Sequence, residues 1–318
     1  MSARATALTV SAGAFAYIMY KLYRSTRTPT REAALRDDLA AAHVLSHHFG
    51  FDECALRCFP LACTTSPLGA RARCLWPQCR LCRWTLAVRL QLLAIRYSSL
   101  QHRRLVWNHI SARVHDDTFL VTNGTDHFDE VTAESLVISS QANTNVTSDV
   151  IHSAIYKARP DAGAIVHHHA TATVAVACAE GGLQFLTQDS AAFYGKVAYY
   201  DWEGVSDDTD ECARIAAAFG DTAHTLIMRN HGVLTIGKTV CEAWVRHYYL
   251  DRVCRVQVAL GGLPTVQPAT DVLEHAASQY VDNSDFEHGA VHQWVALKRL
   301  SDRIMAERRL RRALSFIF

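Results

Sequence analysis

The amino-acid sequence predicts an α/β protein in which helices layer on a sheet that is not wholly parallel. Three observations carry that expectation. From Trp107 onward, short strand-like runs alternate with longer stretches of helical periodicity. The first two runs, Ile110–Val114 and Thr118–Thr122, are separated only by His115-Asp116-Asp117, which reads as a hairpin turn and therefore as an antiparallel pair. The chain has 318 residues, 49% of them hydrophobic, enough to bury a good core in one large domain or two small ones.

The elements follow in order. Thr30 to Phe51 reads as a helix: Leu35, Leu39, Ala42, His43 and Leu45 recur at three- and four-residue spacing, acids come early at Glu32, Asp37 and Asp38, and Gly50 supplies a stop. After the hairpin, Asn123-Gly124 marks a turn, and Thr132–Ser135 opens a short apolar segment, Leu136–Ser140. A helix is expected over Ser148–Lys157, closed before Arg159-Pro160 because the residue preceding proline avoids the α region. Ala164–Val166 is a strand and Thr173–Cys178 a helix. Lys196–Tyr200 and Thr225–Met228 are strands flanking a helix at Asp210–Phe219, and Val240–Leu260 is a long helix.

Composition narrows the function. A net charge of +1 makes no global electrostatic case for nucleic acid. That average conceals a segment, Cys54–Arg104, with nine arginines and no lysine, aspartate or glutamate. Six of the ten cysteines lie between Cys54 and Cys82, where Cys74, Cys79 and Cys82 give a weak zinc-module spacing. The other four, Cys178, Cys212, Cys241 and Cys254, read as buried free thiols of a reducing compartment. Residues 5–20 carry no charge and are followed by Lys21, Arg24, Arg27 and Arg31. This pattern fits a short membrane anchor with a cytoplasmic body, a mitochondrial targeting segment, or a plain helix. The final stretch, Lys298–Phe318, reads as a basic amphipathic helix, either a solvated face or a surface for anionic lipid or an acidic partner.

The chemistry begins at His167-His168-His169, which ends the Ala164–Val166 strand. Side chains alternate along a strand, so His167 and His169 share one face and His168 faces the other. With seventeen histidines in the chain, some clustering arises by chance. Two neutral imidazoles on one face are also well placed to converge on a divalent ion, and His231, ahead of Gly232 and the run Val233–Ile236, could add a third ligand from a neighbouring strand. Three ligands with a fourth position open is the arrangement of a catalytic zinc site.

Taken as an ordered series, Trp107–Arg113, His152–Asp161, His167–His169, Val197–Gly204, Arg229–Leu234 and Tyr248–Gln257 resemble the class II aldolase/adducin family, in wording nearest its adducin-head-like branch. The resemblance covers about 35–51 and 105–262 and divides the chain into four parts: an N-terminal apolar segment at 1–29, the aldolase/adducin-like domain at 30–53 and 105–262, an Arg/Cys-rich insertion at 54–104, and a C-terminal extension at 263–318. It implies a three-layer αβα fold with a central, largely antiparallel sheet, and a homo-oligomer, a tetrameric ring with sites between subunits. It also implies Zn2+ or another divalent metal on His167, His169 and His231. Family members run almost directly from the segment ending at Glu53 into the strand at Asn108, so the 54–104 insertion reads as translated non-coding sequence or a disordered segment.

The sequence departs from the aldolase pattern in two places. The acidic general acid/base of the aldolases stands four residues before the histidine matching His152; here that residue is Ser148, with Asp149 beside it. A serine is a poor proton acceptor at neutral pH, and one residue turns a helical side chain by about 100°. The phosphate-binding Gly-Asn-x-Ser turn has its counterpart in Asn108-His109-Ile110-Ser111, without the glycine. Asn108, Ser111, Asn123 and Gly124 are candidate substrate-binding groups or simply turn residues, and Asp189, Tyr194 and Tyr199 are candidate proton-transfer groups from the same or a neighbouring subunit. The sequence thus points to a zinc-dependent aldolase-like lyase or epimerase acting on a small hydroxy-carbonyl compound. The alternative is a non-catalytic adducin-like protein binding actin filaments or the membrane skeleton.

Overall fold

Seven strands form one mixed sheet in the order β3-β2-β1-β4-β7-β6-β5, in which every neighbouring pair is antiparallel except β5 with β6. The computed structural model describes residues 30–51, 107–139, 145–206, 208–282 and 290–315. The strands are β1 (His109–His115), β2 (Thr118–Val121), β3 (Val137–Ile138), β4 (Ala164–His168), β5 (Val197–Tyr200), β6 (Thr225–Met228) and β7 (Gly232–Gly237). The helices are α1 (Arg31–Phe49), α2 (Val146–Ala158), α3 (Thr171–Cys178), α4 (Gln188–Ala191), α5 (Glu211–Phe219), α6 (Val240–Leu260), α7 (Thr270–Asp282) and α8 (Ala290–Ser315). The expected hairpin is β1–β2, with Asp116 in the left-handed region at its turn. The N-terminal apolar segment at 5–20 and the insertion at 54–104 lie outside the described residues. Among the described residues, no helix is long and apolar enough to cross a membrane.

Local chemistry sets the element ends. Thr30 caps α1, its hydroxyl accepting from the Ala33 amide at 3.2 Å. Gly50 takes φ 76° at the other end, where its amide donates to His47 O and that of Phe51 to Ser46 O. A side chain there would be strained, so the expected glycine stop has a geometric cause. Asn145 caps α2 through Thr147 N, and Thr239 caps α6 through Glu242 N.

Alternation along the strands builds the layers. On one face Ile110, Ala112, Leu120, Ala164 and Val166 meet Leu39 and Leu45 of α1, Trp244 of α6 and Trp294 of α8. On the other, Val121, Ile165, Leu226, Leu234 and Ile236 meet Ile151 and Ile155 of α2 and Ile215 and Phe219 of α5. The result is the three-layer αβα arrangement with a largely antiparallel sheet. The C-terminal helix docks on α1: Trp294 Nε1 and Lys298 Nζ both donate to Asp38 Oδ1, at 3.2 and 2.7 Å.

Some readings shift. The apolar segment 136–140 contributes only Val137–Ile138 to the sheet, pairing with Leu120 and Val121. Cys241 and Cys254 are buried free thiols as expected, whereas Cys178 is exposed at the end of α3. Helix α7 was not anticipated; it packs over the short α4, outside the layers.

Candidate metal centre

The strand register assembles the site. β1 runs antiparallel to β4 with His109 opposite His167, and Ser111 opposite Ile165. β7 pairs with β4 on its other edge, and β6 returns into β7 through a tight loop, Arg229-Asn230-His231, whose ends are the paired Met228 and Gly232. Asn230 occupies the left-handed region at φ 56°, which asparagine tolerates better than most residues. The loop is tied down from outside: Asn230 N donates to Ala177 O, Arg229 Nη1 donates to Ala179 O at 2.7 Å, and the Arg229 guanidinium lies 4.3 Å over the Tyr199 ring. His231 is thereby held beside the end of β4.

His167, His169 and His231 converge. Their candidate ligand atoms lie within 4.8 Å of one another, and the ring centroids are 4.7 to 5.0 Å apart. His167 is fully buried and the other two are partly so. Burial lowers the pKa of all three, that of His169 to about 3, so the rings are neutral near pH 7 and their lone pairs are free to bind. His167 Nε2 and His169 Nε2 sit 2.8 Å apart. Two neutral imidazoles meeting in that way share one proton between two lone pairs, and a divalent ion in its place satisfies both. Tetrahedral zinc at 2.0–2.1 Å from nitrogen sets its ligands roughly 3.4 Å apart, inside the 2.8–4.8 Å range present. The residues therefore fit such an ion. Asn108 Oδ1 accepts from the His169 amide at 2.8 Å and fixes that ligand's backbone, while His167 is wedged between the stacked His109 ring at 4.6 Å and His231 at 5.0 Å.

Behind the triad runs a buried polar chain. His109 Nδ1 and His152 Nε2 share a hydrogen bond of 2.8 Å, His152 Nδ1 and Ser111 Oγ one of 2.6 Å, and Ser111 Oγ and Tyr156 OH one of 2.9 Å. All four residues are buried. Loss of hydration pushes His152 down to about 3, drives His109 well below the ordinary histidine value, and raises the Tyr156 phenol. The neutral rings then leave one consistent direction. Tyr156 O–H donates to Ser111, Ser111 donates to His152 Nδ1, and His152 Nε2–H donates to His109 Nδ1. The reverse direction would strand the Tyr156 hydrogen in the core, at a cost of about 1–3 kcal/mol. His109 accordingly carries its proton on Nε2.

A cavity of about 320 Å³ opens over the triad, lined by Trp107, His109, Thr147, His169, Trp202, Gly204, Val205, Ser206, Asn230 and His231. Among the candidate substrate groups, Asn108 and Ser111 lie behind this lining, one holding His169 and the other inside the polar chain. Asn123-Gly124 forms a turn in which Asn123 Oδ1 accepts from Thr125 N and Oγ1, away from the cavity. Ser148 is fully buried, its hydroxyl donating to Asn145 O at 2.7 Å. Neither it nor Asp149 lines the cavity, which meets that helical turn at Thr147. Asp189 pairs with Arg252 at 2.9 Å, Tyr194 packs edge-on against Phe185, and the Tyr199 hydroxyl accepts from Leu183 N. Sequence reasoning missed the part His109 and His152 play. Histidines on the inward faces of β1 and α2 were its only available signal.

Comparison with known proteins bears on the family and the fold. The family described as Class II Aldolase and Adducin N-terminal domain matches residues 92–258. A Caulobacter vibrioides protein named "Putative aldolase class 2 protein" is 36% identical over 165 residues, 48% of this chain and 64% of that protein. Rat alpha-adducin is 36% identical over 168 residues, 49% of this chain but 23% of the adducin. The chain thus spans less than two thirds of the length of either relative. The crystal structure of an aldolase II superfamily protein from Pseudomonas syringae superposes with a TM-score of 0.66 at 28% identity, covering 89% of this chain and 97% of that one.

Proposed function

The chain belongs to the class II aldolase and adducin N-terminal family, and on that premise we propose that it is a divalent-metal-dependent lyase or epimerase acting on a small hydroxy-carbonyl compound. One observation carries this reading: three neutral imidazoles, two from the end of β4 and one from the β6–β7 loop, converge, and two of them, His169 and His231, line an open cavity. An ion held by His167, His169 and His231, zinc in our reading, supplies Lewis-acid stabilisation of the oxyanion charge that develops when a bond next to a carbonyl breaks.

The protein's own groups do the rest. Asn108 holds the His169 backbone, and Gly232 leaves room for that ring. His109, its tautomer set by the Tyr156–Ser111–His152 chain, offers Nε2–H to a substrate oxygen. Thr147 and Ser206 also line the cavity, their hydroxyls donating to Asn145 Oδ1 and Glu211 Oε1. Ser148 and Asp149 stand behind it, so hydrogen bonding to the reacting oxygen falls to the cavity-lining groups, His109 first. Metal analysis of purified protein tests the reading: about one zinc-like ion per chain, lost in His167→Ala and His231→Ala. A retro-aldol and decarboxylation screen with His169→Ala as control then names the reaction. Metal-free wild type after careful purification would exclude the enzyme.

The likeness to alpha-adducin supports a second reading, a non-catalytic head that retains the triad and serves the cytoskeleton, with actin filaments as the proposed partner. Cosedimentation with actin filaments, together with no turnover by the metal-loaded chain, would favour it.

A further inference from the structure

The walls of the cavity say which hydroxy-carbonyl compounds it suits. Trp107 precedes β1 and Trp202 follows β5, yet both line the same opening over His169 and His231. Each is large, apolar and half exposed, at 51% and 58%, and Val205 beside them is 71% exposed. Exposed apolar side chains gathered at the mouth of a polar site are a binding feature, unlike the same residues scattered singly. Indoles present a flat, rigid face at low entropic cost and stack on other rings.

Charge gives the complementary half of the inference. Among the described residues, no lysine or arginine lines the cavity. Among the described residues, the basic side chains near these positions in sequence are held elsewhere: Arg113 on Ala162 O and Tyr156 O, Arg229 over Tyr199 and on Ala179 O, and Arg214 in an ion pair with Glu203 at 2.7 Å. Beyond the metal, a phosphate arm would meet no lysine or arginine side chain among the described residues, and would lose hydration against two indoles.

Resting on the metal-centre reading above, we infer that the substrate carries an uncharged aromatic or branched aliphatic arm, seated between Trp107, Trp202 and Val205, and no phosphate.

Three hydroxamates sharing one chelating head separate the two readings. Acetohydroxamate is the head alone, phenylacetohydroxamate adds an aromatic arm, and phosphonoacetohydroxamate adds an anionic one. Binding to the cobalt-loaded full chain is followed by the cobalt visible spectrum for the head and by tryptophan fluorescence for the arm. The aromatic arm is expected to bind about tenfold more tightly than either other probe. Trp202→Ala and Trp107→Ala should each remove most of that gain while leaving acetohydroxamate within about twofold of wild type. A cobalt response with no arm preference, or with the phosphonate bound most tightly, overturns this inference and leaves the metal centre standing. So does a Trp202→Ala variant that changes oligomeric state by light scattering but keeps the preference, since the rim would then be a subunit contact. No cobalt response to any probe removes both readings.

Discussion

Replacing Gly232 by alanine probes how tightly the fold grips its third layer of function, the imidazole cluster. A Cβ at this position would lie 2.5 Å from His169 Cδ2 and 2.9 Å from the carbonyl oxygen of His168. Carbon atoms in contact sit about 3.5–4.0 Å apart, so the His169 ring must retreat by about 1 Å. The carbonyl cannot give way cheaply, because it belongs to the backbone of β4, which is paired to β7. Metal–nitrogen distances tolerate about 0.2 Å, so a 1 Å displacement removes His169 as a ligand. Metal affinity should fall by at least about 10–100-fold, and the metal-free protein should lose about 1–3 kcal/mol to overpacking. Competition against a chromophoric chelator measures the first and urea unfolding the second. A Gly232→Ala protein that binds metal within about twofold of wild type, with unchanged stability, would refute the placement of His169 against β7.

Further expectations follow from the same contacts. Glu242 and Arg246 form a buried pair at 2.7 Å one turn apart on α6, so Glu242→Gln should destabilise by about 1–3 kcal/mol through weakening that charge-assisted bond, while Glu242→Gln with Arg246→Met should recover much of it in thermal melts. His152 and His247 are buried and neutral, with pKa values pushed down to about 3, whereas the unfolded chain protonates them near 6.5. Below 6.5 the unfolded state therefore binds more protons. Chelator-treated protein should lose about 1.4 kcal/mol per pH unit for each of the two as pH falls from 6.5 toward 3, and a flat urea midpoint between pH 6.5 and 5 would contradict this. Tyr156→Phe breaks the end of the buried chain, leaving Ser111 without its donor; a loss of about 1–2 kcal/mol and a mixed His109 tautomer in nitrogen NMR spectra are expected. Ser148→Ala removes only a hydroxyl bonded to Asn145 O and should leave metal content unchanged by elemental analysis.

Local rules made much of the fold legible before any coordinates. Thr30 and Gly50 marked the ends of the first helix because caps and left-handed turns depend on a few neighbouring atoms. The two-residue period of a strand put His167 and His169 on one face and His168 on the other. In the structure His168 does turn away, toward His247 of α6, at a ring separation of 4.5 Å. The helix α7 and the full length of β4 were harder, since packing against α4, β1 and β7 decides them more than local propensity does.

By itself, then, the sequence determined which chemistry is available: three imidazoles at strand and loop positions, a serine where the family's aldolases carry an acid, and no glycine in the Asn108–Ser111 stretch. Tertiary structure alone decided what surrounds those groups. The register of β1 on β4 set His109 opposite His167, and the packing of α2 on the sheet joined it to His152, Ser111 and Tyr156. The same packing withdrew Ser148 from the cavity and turned Arg229 away, and Trp107 and Trp202 met at its mouth. The physical reason is that pairings between distant strands carry no signature in the neighbouring sequence. They arise when one face of each element is buried, and that burial places polar groups together whatever their separation along the chain.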